Sequence, residues 1–130
     1  MSYIYYNLNP LQRHVRDCVY RAIGYFFSIS WKKAIYEMVE NATDNGDVNF
    51  NYTTNIVDYM KKNGFNKYKS PKKGMSVIEF ANSYAKEGHI YLIHVKKPQH
   101  MTIIDNKEIL DTWDCSCKEM DYYFVRLKAA

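Results

Sequence analysis

Three side chains of this sequence, Cys18 near its start and His100 and Asp111 near its end, form a set that can break or make an acyl bond. A thiolate attacks a carbonyl carbon, an imidazole takes and returns the proton, and a carboxylate orients the ring and stabilises it when charged. Cys18 falls at the expected first residue of a helix, with Asp17 as its N-cap. There the backbone N–H groups and the positive end of the helix dipole favour the thiolate. The Asp17 carboxylate opposes this by charge, and less so if its oxygens accept capping N–H bonds. His100 and Asp111 are joined by a predicted hairpin. Asp105-Asn106 both tolerate positive φ and suit a two-residue type I′ turn. That turn sets Ile104 against Lys107, Ile103 against Glu108, Thr102 against Ile109, Met101 against Leu110 and His100 against Asp111. Facing Cβ atoms then lie about 4.5–5.5 Å apart. A turn at Asn106-Lys107 makes Asp111 a diagonal neighbour on the same face, and a three-residue loop breaks the pairing.

Rival residues are weaker candidates. His94, on the preceding strand, is the alternative base; His14 and His89 have no expected acidic partner. Asp114 falls on the opposite strand face from Asp111 by the two-residue period. Cys115 and Cys117, read as i and i+2 of a strand, invite a zinc site. A structural zinc site commonly needs four ligands at recognisable spacing and no second pair is present, so neither a metal nor a cofactor is expected.

The elements that must position these groups follow from periodicity. A short aromatic strand at Tyr3 to Tyr6 precedes the turn-rich Asn7-Leu8-Asn9-Pro10. Val19, Ala22, Ile23, Phe26 and Phe27 form one apolar helix face, and Trp31, Ala34, Ile35, Met38 and Val39 repeat it behind a Ser30 cap, stopping near Asn45-Gly46. A third helix from Thr53 or Thr54 buries Ile56, Val57 and Met60 and ends before Gly64. The lysine-rich stretch around Pro71 reads as loop. Ser76 and Glu79 read as a reciprocal capping box for a helix carrying Val77, Phe80, Ala81, Tyr84 and Ala85, ended by Gly88. From Ile90 the period becomes two, giving strands at Ile90 to Lys96, His100 to Ile104, Lys107 to Thr112 and Tyr122 to Leu127. Helices first and antiparallel sheet second make an α+β layout.

The chain has 130 residues, of which 47% are hydrophobic and 25% charged, as expected for one globular domain spanning 1–130. Its 13 tyrosines supply core mass or a recognition surface. No run approaches the ~18 apolar residues of a membrane span. The segment from Met1 to Tyr6 lacks the pattern of a signal peptide, and Ala129-Ala130 reads as an expression-vector remnant. The odd cysteine count of 3 gives no disulfide framework and points to a reducing cytoplasm. Much of the net charge of +4 sits on Lys61, Lys62, Lys67, Lys69, Lys72 and Lys73. Such a run can meet nucleic acid or an acidic protein face. Without arginine, the better phosphate reader, it reads as a solvated connector. Nucleic-acid binding through it is a third possibility, and a protein or peptide, rather than nucleic acid or membrane, is the expected partner.

A helix-terminal cysteine, a late strand histidine and Asp111-Thr112-Trp113 on the next strand resemble the papain-like cysteine peptidases, where an Asn-Ser-Trp triplet carries the third catalytic residue. The resemblance implies that Trp113 is the shielding indole. Gln12 lies six residues before Cys18, the family's spacing for its oxyanion-hole glutamine, which implies a hole made by the Gln12 amide and the Cys18 N–H. The compact Asp-Cys-Val and His…Asp-Thr-Trp-Asp pattern is also similar to bacteriocin-leader peptidases and small phage and prophage proteins. The Cys-Gly-Ser-Cys-Trp segment of papain is absent, with Val19-Tyr20-Arg21 following the cysteine instead. The chain is short for a full papain enzyme, so a reduced cleft is expected. By this likeness the protein is a phage-type thiol hydrolase of a peptide, isopeptide or related amide, acting in the bacterial cytoplasm. An acyltransferase uses the same first step, and a catalytically silent scaffold that binds a host or defence protein is the reading from a different class.

Overall fold

The computed structural model describes residues 3–128; the reading of Ala129-Ala130, and the Met1-Ser2 part of the signal-peptide reading, lie outside the described residues. The element order is β1 (Tyr3–Tyr5), α1 (Cys18–Phe27), α2 (Trp31–Asp44), α3 (Thr53–Lys62), β2 (Tyr68–Lys69), α4 (Val77–Ser83), β3 (His89–Val95), β4 (His100–Asp105), β5 (Glu108–Asp111) and β6 (Met120–Leu127). The layout is α+β, with one six-stranded sheet in the order β1-β5-β4-β3-β6-β2. All pairings are antiparallel except β1 with β5, which is parallel.

Strand alternation builds two cores. Ile90, Leu92, Met101, Ile103, Tyr122 and Phe124 face Val19, Ile23, Phe26, Met38 and Met60 of the first three helices. Tyr91, Ile93, Val95, Ile104 and Ile109 turn to the other side, against Val77, Phe80 and Ala81 of α4 and against Cys115. Every residue of β4 is therefore buried. Full burial of an Ile, Leu or Phe contributes about 1.5–3 kcal/mol, so this double-sided packing fixes β4 and with it His100. The centre of the sheet is covered on both faces.

Local chemistry explains where the elements deviate from sequence expectation. The hairpin turn lies at Asn106-Lys107, with φ of +53° and +67°, one residue later than Asp105-Asn106. Asp105 stays on the strand because its buried carboxylate holds Tyr25 Oη at 2.5 Å and Lys128 Nζ at 2.9 Å. Ile103 then faces Leu110 and Ile104 faces Ile109. The lysine-rich segment is not all loop, since Tyr68 and Lys69 pair with Tyr123 and Tyr122 at the sheet edge. Ser76 Oγ accepts the Glu79 N–H at 3.1 Å, but Glu79 turns to Lys72 at 2.7 Å, leaving half a capping box. The α4 helix stops at Ser83, short of Gly88, whose φ of +78° instead turns the chain into β3. Ser30 caps α2 through the Lys33 N–H at 3.0 Å, as its sequence implies. Among the described residues no helix is long and apolar enough to cross a membrane.

Candidate active site

Cys18 opens α1, and Asp17 precedes it without making any side-chain cap bond. The carboxylate is engaged elsewhere: Oδ1 accepts from Arg21 Nε at 2.8 Å, while Oδ2 accepts from Trp31 Nε1 at 2.9 Å and Asn9 Nδ2 at 3.3 Å. The charge expected to oppose a thiolate is thus masked by a guanidinium and not by capping. The Cys18 N–H has no acceptor among the described residues, which leaves a donor free at the positive end of the helix. A Cβ added at Gly24, on the same helix, would meet the Leu8 side chain, so the linker lies directly on α1.

His100 starts β4 and Asp111 ends β5, at the same end of the sheet. With the turn at Asn106-Lys107 they are diagonal neighbours, yet His100 Nε2 and Asp111 Oδ2 meet at 2.5 Å. The other Asp111 oxygen accepts from Arg21 Nη1 at 3.1 Å and the Thr112 N–H at 2.7 Å. Both carboxylate oxygens are thereby fixed in a residue 1% exposed. Trp113 packs on the imidazole with ring centroids 4.9 Å apart, and Cys115 Sγ lies 3.7 Å from Asp111 Oδ2. With Nε2 taken, Nδ1 is the ring nitrogen left for the thiol. Cys18 and His100 line one cleft of about 440 Å³, walled by Tyr52, Thr53, His94, Gln99 and Met101 among others.

The electrostatics of the three groups are coupled. Burial raises the Cys18 thiol, but hydrogen bonding and charge from His100, the Met101 backbone and the Arg21 charge outweigh it, so the thiol lies below its ordinary value. Burial pulls the His100 imidazole down, but its interactions with Asp111, Cys115 and Cys18 carry it far above the usual histidine range. Burial likewise raises Asp111, and His100 more than reverses that. All three shifts favour thiolate, imidazolium and carboxylate.

Gln12 is not brought into this cleft. It is exposed, its φ is +56°, and its side-chain nitrogen donates to the Asn7 and Asn9 carbonyls, both at 3.0 Å. Gln99 lines the cleft beside Cys18, and its side chain makes no hydrogen bond among the described residues. His94 also lines the cleft, but its Nδ1 meets Asp121 Oδ1 at 2.7 Å and its ring stacks on Tyr122. Asp114 is exposed and accepts the Ser116 N–H. Cys115 and Cys117 are not on a strand at all. The first is buried and the second exposed, so they share no face for a metal. His100, Asp111 and Cys115 place their ligand atoms within 4.8 Å of one another, and two of them, His100 and Asp111, are already hydrogen-bonded to each other.

Sequence reasoning missed Arg21, the bridge between Asp17 and Asp111. Its signal was present as an Asp-to-Arg spacing of i, i+4 on a helix. The contact with Asp111 spans 90 positions and leaves no local pattern. No family model matches the chain, and no curated protein matches it, so the functional reading rests on the site itself.

Proposed function

We propose that this protein is a papain-like thiol hydrolase of peptide, isopeptide or related amide bonds, with Cys18 as nucleophile, His100 as general base and acid, and Asp111 as orienting carboxylate. The observation that carries the reading is a helix-terminal cysteine and a carboxylate-held histidine lining one cleft. The Cys18 thiolate attacks the carbonyl carbon. The C–N bond then breaks as the amine leaves with the His100 proton, forming a thioester. Water attacks that thioester, His100 takes its proton, and the acid departs as the thiol is restored. The Cys18 N–H and the Gln99 amide serve the oxyanion in place of Gln12. Trp113 shields the imidazole from water. An amine that intercepts the thioester makes the same site an acyltransferase. By the same resemblance the setting is a phage-type protein in the bacterial cytoplasm.

The engaged Gln12 amide favours a second reading, a silent scaffold that binds a host or defence protein. The test is reaction with p-nitrophenyl acetate. The hydrolase reading expects a stoichiometric burst of nitrophenol, an acetyl adduct on Cys18 and slower turnover, all absent in Cys18→Ala. An unacylated Cys18 in folded protein overturns it in favour of the scaffold.

A further inference from the structure

A row of side chains crosses the sheet from the cleft to its edge. Met101 on β4 faces His94 on β3, His94 faces Tyr122 on β6, and Tyr122 faces Lys69 on β2. Met101 and His94 line the cleft with Cys18. Tyr68 stacks on Tyr123 across the opposite face, so alternation sends Lys67 and Lys69 to the Tyr122 side. There Lys67 Nζ stands 5.0 Å from the Tyr122 ring centroid. A hollow beyond Tyr122 is lined by Lys67, Lys69, Lys72 and Lys73 together with Glu119 and Asp121. Lys72 pairs with Glu79, Glu119 with Lys96 and Asp121 with His94. Lys67, Lys69 and Lys73 make no ion pair among the described residues. Three ammonium groups without a carboxylate partner among the described residues thus stand at the end of a track that starts at the thiol.

We propose that this track is a substrate subsite for a peptide segment bearing one acidic residue, whose carboxylate Lys67, Lys69 and Lys73 receive beyond Tyr122. The proposal rests on Cys18 being the reacting group. Strands lie about 4.8 Å apart, so the distance from β4 to β2 is roughly 14 Å, and an extended peptide advances about 3.3 Å per residue. The favoured acidic residue therefore lies about four residues from the reacting carbonyl. A nucleic acid fits less well. Its phosphates are closely spaced along the chain, so they would also meet Glu119 and Asp121, and the shelf has no guanidinium to grip them. A single carboxylate avoids both carboxylates of the shelf.

The test uses epoxysuccinyl peptide probes extended on either side of the electrophile, with Glu or Gln about four residues away, and follows Cys18 modification by intact mass. Iodoacetamide labelling controls for the thiol. A Glu probe on one side should react about fivefold faster than its Gln twin, in line with weak exposed ion pairs. The preference should disappear in 1 M salt and reverse in the Lys67→Glu/Lys69→Glu variant, whose iodoacetamide rate stays unchanged. Equal rates for Glu and Gln probes on both sides, with Cys18 still selectively alkylated, overturn the subsite and leave the nucleophile standing. Loss of selective alkylation in wild type overturns the nucleophile instead. Protection of Cys18 by a single-stranded oligonucleotide at low concentration, without any Glu preference, overturns the peptide in favour of nucleic acid.

Discussion

Two histidine–aspartate pairs line or abut the same cleft, and they are built differently. His100–Asp111 has a carboxylate that is 1% exposed, held by Arg21 and a backbone N–H, with a thiol beside the ring. In His94–Asp121 the carboxylate is 37% exposed and has no cation behind it among the described residues, and the ring is stacked on Tyr122. The donor–acceptor distances, 2.5 and 2.7 Å, barely separate them. Burial does. A carboxylate withdrawn from water interacts strongly with its partners, and its loss leaves them unpaired, whereas an exposed pair is screened. The first pair carries its histidine well above the usual range.

The difference can be broken most forcefully through stability. Asp111→Asn should lower the urea-unfolding free energy by about 3 kcal/mol, because it strips buried Arg21 and His100 of their charge partner. Asp121→Asn should cost less than about 1 kcal/mol. Equal losses would erase the distinction. The second effect belongs to the acylation step. Gln99→Ala should slow acetylation of Cys18 by p-nitrophenyl acetate about tenfold or more, as an oxyanion donor does. Iodoacetamide alkylation should stay unchanged, since displacement of iodide forms no oxyanion. Parallel loss in both reactions would mark Gln99 as merely structural. A third, smaller effect comes from Trp31→Phe, which removes one hydrogen bond to buried Asp17 and should cost about 1–2 kcal/mol while Asp17 keeps Arg21.

His100 has a folded pKa raised above its unfolded value near 6.5, so its stabilisation is complete below that value and lost as pH climbs toward about 11. Asp111, depressed when folded, gives stability above its unfolded value that disappears as the pH falls through its folded one. Cys18, lowered from 9.0, adds stability as pH rises to that value, so the histidine loss emerges above it. The urea midpoint of wild type should therefore fall between pH 9 and 11 by more than that of His100→Gln. His94→Gln should retain the wild-type decline. A wild-type midpoint that follows His100→Gln through this range would contradict the raised imidazole.

The sequence carried the helices well because each is locally determined. Ser30 and Ser76 cap where expected, and the apolar faces of α1 to α3 recur at helical spacing. The hairpin showed where local preference stops. Asp and Asn tolerate positive φ better than Lys, yet Lys107 takes the left-handed position because Asp105 is held by Tyr25 and Lys128, distant partners that no turn preference contains. The candidate site divides the same way. Cys18, His100 and Asp111 were legible from helix start and strand register. Arg21's bond to Asp111 and Gln99's place in the cleft depend on contacts across some 80 to 90 positions and were not. Gln12 illustrates the reverse, a spacing match whose amide the chain uses to tie its own linker.

The most direct test of the thiolate–imidazolium pair is the rate of iodoacetamide labelling at each cysteine against pH, by peptide mapping, in wild type, His100→Ala and His94→Ala. Cys18 should label with an apparent pKa below the ordinary ~8.5, losing its rate at pH 6 by about tenfold or more in His100→Ala and by less than about twofold in His94→Ala. A Cys18 that labels no faster than Cys117 at pH 6, or one indifferent to His100→Ala, would contradict the thiolate–imidazolium pair.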